Sequence, residues 1–94
     1  MAERRLFTVT DTFLIPGRGL VLVPGIAPID DEQFQVGDSI LLKRPDGVEI
    51  RTTIGGLELP HPNPKHEVVV LLHEVGKGDV PAGTEVWSQP RLER

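Results

Sequence analysis

The side chains best suited to chemistry are His61 and His66, five apart around a proline-rich loop, with Glu58 and Glu67 beside them. Imidazole nitrogens and carboxylate oxygens together form the donor set of a zinc-like site. The spacing matches no compact ligand motif, and the remaining histidine, His73, falls on a separate apolar segment. Cysteine is absent. That removes thiolate ligands, thiol nucleophiles and disulfides, and it suits a reducing cytoplasm. Tyrosine is absent as well, and neither Ser39 nor Ser88 sits in a nucleophile elbow. The expectation is therefore no catalytic residue, no metal and no cofactor. The proline-rich loop reads as a stiff shape element, because proline loses little entropy on ordering.

Two further constellations carry charge. Asp11 and Arg18 flank a Pro16-Gly17 turn and are expected to form an ion pair that pins the hairpin; a polar pocket for a ligand is the alternative. Asp30-Asp31-Glu32 reads as a solvated loop, or as a handle for a basic partner. The formal net charge is −4. Arg4, Arg5, Lys43, Arg44, Arg51 and Lys65 are scattered among acids, so no generic phosphate affinity is expected.

The elements that must position these residues are short strands. With 94 residues the chain is one domain, residues 1–94, with a core over about 6–88 and a polar tail at 89–94. Ten glycines and nine prolines punctuate brief apolar runs, the pattern of an all-β fold. Residues 6–15 alternate, with Phe7, Val9, Phe13 and Ile15 on one side and Thr8, Thr10 and Thr12 on the other. Residues 19–23 form a second strand, apolar on both faces, and 24–34 a loop. Strands follow at 39–43, 48–59, 67–75 and 84–88, with Gly55-Gly56 marking a bulge or corner inside the long one. Phe7, Val9, Phe13, Val21, Ile40, Leu42, Ile54, Val69, Leu71 and Val86 are the expected core. Trp87 reads as a core or rim plug near the end of the last strand, with partner docking as the alternative. No helix of useful length is expected. Met1–Arg5 lacks the apolar run of a targeting signal, and no apolar run is long enough for a membrane span.

Asp11, Phe13, Ile15, Gly17, Arg18 and Gly19, then Gly37-Asp38, Gly56, Glu58 and Gly83, fall in an order that resembles the second-domain β-barrel of elongation factor Tu-type translational GTPases. The resemblance covers roughly Leu6 to Trp87. It implies a small six-stranded, mainly antiparallel β-barrel. It implies that Asp11, Phe13 and Glu58 match positions lining a pocket for the aminoacylated end of transfer RNA. Thr10 replaces a family Glu, Val23-Pro24 replaces Thr-Gly, and residues 59–64 replace a basic segment. The framework is kept while the pocket is eroded.

The expected function is a non-catalytic, cytoplasmic binding module associated with translation machinery; the alternative is a protein-interaction or assembly module unrelated to translation. RNA or ribosome contact stays open, and no membrane partner is expected. In the family a GTPase domain covers one side of the barrel. Leu20, Leu22, Val23 and Pro24 are therefore expected to form an apolar strip for a partner or for self-association, with a homodimer the leading case. The sequence contains no Gly-x-x-x-x-Gly-Lys-Ser/Thr loop. Without its amides and lysine to cradle phosphate, calorimetry should show no saturable binding of GTP or GDP. A saturable isotherm at micromolar affinity would overturn that expectation.

Overall fold

Bulky and β-branched runs cut off by Gly, Pro or Asp become strands here because only a half-buried pleated surface satisfies both their backbone and their side chains. The computed structural model describes residues 3–90. It contains β1 (Arg5–Thr8), β2 (Asp11–Ile15), β3 (Gly19–Ile26), β4 (Ser39–Lys43), β5 (Glu49–Thr53), β6 (Gly56–Glu58), β7 (Val68–Leu72) and β8 (Glu85–Ser88). A single 3₁₀ turn, Lys77–Asp79, precedes β8. The strands form two four-stranded sheets, β1-β8-β4-β5 (sheet 1) and β2-β3-β7-β6 (sheet 2). Every pairing is antiparallel. No helix among the described residues is long and apolar enough to cross a membrane.

The chain passes from one sheet to the other twice without a loop. The Val9 amide donates to the Thr84 carbonyl at 2.8 Å, and the next amide, Thr10, donates to Val23 in sheet 2 at 2.9 Å. The Ile54 amide donates to Asp38 at 2.9 Å, and the next, Gly55, donates to Leu71 at 2.8 Å. Each of the strands expected at 6–15 and 48–59 is therefore two strands, and the expected six strands are eight in two sheets.

A corner also changes which side chains face inward. Val9 is buried, and three residues later so is Thr12. That odd spacing breaks the alternation of a single strand. Phe13, expected in the core, therefore points outward with Ile15, and Phe13 is 52 % exposed.

The core comprises Leu20, Leu22, Ile26, Leu42, Val70, Leu72 and Val86, with Leu6, Phe7, Val9, Ile40, Ile54 and Val80 around them. Phe7, Val9, Ile40, Leu42, Ile54, Leu71 and Val86 are buried as expected, whereas Val21 and Val69 are half-buried on the outer face. β3 and β7 are apolar on both faces, so alternation alone does not select which face turns inward. β3 also runs on through Pro24, expected to open a loop, to Ile26. Pro24 falls where the β3–β7 register shifts between Leu22 and Ile26. A bulge is where an inner strand tolerates a residue without an amide proton.

The β2–β3 hairpin closes as expected. Pro16 and Gly17 (φ 80°) form the turn, and the Arg18 amide donates to Ile15 at 2.9 Å. At Gly25, φ is 111° and an added Cβ would lie 2.7 Å from the Val68 carbonyl oxygen. Gly25→Ala must therefore both adopt a disfavoured backbone and separate β3 from β7. It should cost about 1–3 kcal/mol, read as a lowered Tm. A parent-like Tm would show that the two strands part locally at no cost.

Candidate functional site

Directly opposed residues in a sheet share a face. In sheet 2 Phe13 lies opposite Val21, Val21 opposite Leu71, and Leu71 opposite Gly56. One residue pair along, Glu58 lies opposite Val69, and Asp11 opposite Val23. Their inward neighbours are Thr12, Leu22, Val70 and Leu57. The outer face of sheet 2 thus carries an apolar row across three strands, Phe13–Val21–Leu71, flanked by Ile15, Val23 and Val69. At its end, the His73 ring lies against two glycines. A Cβ on Gly19 would come within 2.8 Å of that ring and one on Gly55 within 2.7 Å.

Charges frame the row in two pairs. The expected Asp11–Arg18 pair does not form: register puts Asp11 beside Val23, at the end of the hairpin away from Arg18 in its turn. Arg18 instead pairs with Glu58 of β6. Asp11 accepts the Thr12 amide at 2.8 Å and lies 3.9 Å from the Lys77 ammonium. Lys77 also donates to the Thr12 carbonyl and sits 5.7 Å from the centre of the Phe13 ring. Asp11, Phe13 and Glu58, the residues singled out by resemblance, do share this one face. Leu20 and Leu22, expected in an interface, are fully buried in the core, while Val23 and Pro24 are half-buried. The exposed apolar strip belongs to β2, where Phe13, Leu14 and Ile15 follow one another.

A second concavity lies at one end of sheet 1. It is a cleft of about 600 Å³ whose lining includes Leu6, Phe34, Ile40 and Ile54, with Ile29, Asp30 and Asp31 from the loop between β3 and β4. An ion pair fixes that loop. Arg4 donates to both Glu32 carboxylate oxygens, Nε at 2.7 Å and an Nη at 2.6 Å, and to the Ala27 carbonyl at 3.3 Å. Glu32 in turn accepts the Ile29 amide at 2.9 Å. The Arg4 hydrogen bonds hold the Glu32 carboxyl below the usual carboxylate range, against a smaller opposing effect of burial. The same bonds raise the Arg4 guanidinium.

The other candidates are dispersed. His61 and His66 are exposed. Among the described residues no group of three or more His, Cys, Asp or Glu could hold a metal. Trp87 follows the inward Val86 and so faces outward from sheet 1, opposite Leu41. The Lys43 ammonium lies 4.1 Å from its ring centre, and its indole nitrogen donates to Glu85 at 3.0 Å. Lys77 and the Arg4–Glu32 pair had no local sequence signal, since their partners lie far along the chain.

Comparisons with family models, with curated proteins and with solved structures return no match. Nothing in them links the chain to the translation-factor barrel.

The Glu32 shift sets a pH dependence. A carboxylate lowered on folding stabilises at neutral pH, and that contribution fades as pH falls through its lowered value. Glu32→Gln should lose roughly 1 kcal/mol at neutral pH. The gap to the parent should close on acidification, when the parent's own carboxylate is protonated. An equal Tm difference across the acid range would show that Glu32 acts by shape alone.

Proposed function

We propose that this protein is a non-catalytic protein-interaction module that docks a partner, or a second copy of itself, on the outer face of sheet 2. One observation carries the reading. An apolar row crosses three strands of one outer face, from buried Leu71 through half-buried Val21 to Phe13, 52 % exposed, with Ile15 at 38 % on the same face. A run of this kind at a surface usually marks a contact site. The neighbouring cations favour a protein surface over a phosphate backbone, because Arg18 is paired with Glu58 and Lys77 lies by Asp11.

In this reading the two sheets work as one small barrel of the translation-factor second-domain type, in the cytoplasm. The support is the pair of loop-free corners, which lead strands of sheet 1 directly into strands of sheet 2. Contact with translation machinery is the second reading. It is favoured by the placement of Asp11, Phe13 and Glu58 on a single face.

Sedimentation at increasing concentration, and capture from native lysate with and without nuclease, test both. Phe13→Ser should abolish the association while leaving Tm unchanged, because the ring is outside the core. Loss of the captured partner on nuclease treatment would select the RNA-linked reading. A strict monomer whose captured proteins are the same with Phe13→Ser would end the docking-face reading.

A further inference from the structure

Leu71 is on the outer face of sheet 2, opposite Val21 on one side and Gly56 on the other. It is nevertheless only 3 % exposed, and it does not belong to the cluster of side chains that fills the core. Side chains on one face of a strand stand side by side, roughly perpendicular to the sheet. Such neighbours flank Leu71 and leave its tip open. On the β6 side there is no flank either, since Gly56 has no side chain, and an added Cβ there would lie 3.4 Å from the Leu71 Cβ. The burial of Leu71 therefore needs a cover from outside the sheet.

The Arg18–Glu58 ion pair is placed to be that cover. Arg18 lies in the β2–β3 turn, beyond the Leu20–Leu72 pair, and Glu58 lies on β6 opposite Val69. β7 runs between β3 and β6. A contact that joins these two residues on the outer face crosses β7, and its diagonal passes the row of Leu71. The two backbones stand at the margins of the face while the joined side chains span its middle. An arginine stem packs well on apolar surface while its head stays in water. The side chains of the pair are 57 % and 42 % exposed.

We propose that the Arg18–Glu58 pair is an autoinhibitory latch on the docking face of sheet 2, a regulation that rests on the docking reading of that face. Closed, it covers Leu71 and interrupts the apolar row. Open, it joins Leu71 to Val21 and Phe13 in one continuous patch. Ion pairs exposed to solvent are weak, so the latch opens readily, and salt opens it further. A partner that binds the open form has its apparent affinity reduced by the open fraction, a factor of at most about five. Docking should therefore strengthen with salt, the reverse of a contact led by charge.

Exposure of the Leu71 methyl groups is read by NMR on the whole chain, as their relaxation by a neutral soluble nitroxide. In the parent it should rise about twofold as salt goes from about 0.05 to about 0.5 M. Glu58→Gln and Arg18→Gln should each raise it at low salt and remove its salt dependence. The two variants change the net charge in opposite directions, so a shared result cannot come from surface charge. The inward Val70 methyls should stay shielded throughout; their exposure would mean that the sheet itself opens and would overturn the latch. Leu71 shielded equally in the parent and both variants would overturn it as well, and would leave the Phe13→Ser test of docking untouched. Association that depends on Phe13 should strengthen about two- to fivefold in either variant. Unchanged association with an exposed Leu71 would overturn the regulatory role. Absence of any association that depends on Phe13 would end the docking reading, and the regulation with it, whatever the methyl groups show.

Discussion

The architecture depends on one constraint: two sheets from one short chain must share a single interior. The chain meets it by crossing between sheets at residues 9–10 and 54–55, where consecutive amides bond to different sheets. Each crossing ties the sheets covalently at the point where they would otherwise separate. It also sets the phase of everything after it. Because the first corner turns Thr12 inward, Phe13 faces solvent, and β3 must answer with Leu20 and Leu22 inside and Val21 outside. The apolar outer face is thus a consequence of how the core is filled.

The two corners were unequally legible. Gly55-Gly56 announces the second, since the close approach of the His73 ring leaves no room for a Cβ at Gly55. The first, at Val9-Thr10, has neither glycine nor proline, and the alternation of valines and threonines runs on through it. Reading that alternation as one strand put Phe13 in the core. Where turn residues marked both ends, as at Ser39–Lys43 and the tight Pro45-Asp46-Gly47 turn that follows it, strand and turn followed the sequence closely. Where both faces were apolar, as in β3 and β7, the strand was legible but its inward side was not.

Charged contacts were the least legible, for a related reason. Asp11 and Arg18 are near in sequence and suggested each other. Yet an arginine in a hairpin turn reaches whatever the sheet brings alongside, here Glu58, forty residues on. Arg4 likewise finds Glu32, twenty-eight residues away. These partners follow from strand order, β2-β3-β7-β6 and β1-β8-β4-β5, which local pattern does not supply. What the sequence did carry was the type of residue on the surface, and Asp11, Phe13 and Glu58 do converge on one face.

The edges of sheet 2 bear on why the proposed docking surface is its face and not its rim. An open edge strand invites pairing with another chain, and proteins commonly block it with a lysine or a short strand. The Lys77 ammonium takes the Thr12 carbonyl on β2, and the Thr12 amide is held by the Asp11 carboxylate. At the other edge, β6 is only three residues long and gives way to Leu59 and Pro60. With both edges restricted, a partner gains little from backbone pairing. Exposed Phe13 and Ile15, backed by half-buried Val21 and buried Leu71, give it side-chain area instead, with Arg18–Glu58 and Lys77–Asp11 at the margins to set orientation. Contact through side chains of a fixed sheet is selective for shape, whereas strand addition accepts almost any extended chain. Blocking the edges while leaving the face apolar therefore favours a chosen partner over indiscriminate aggregation.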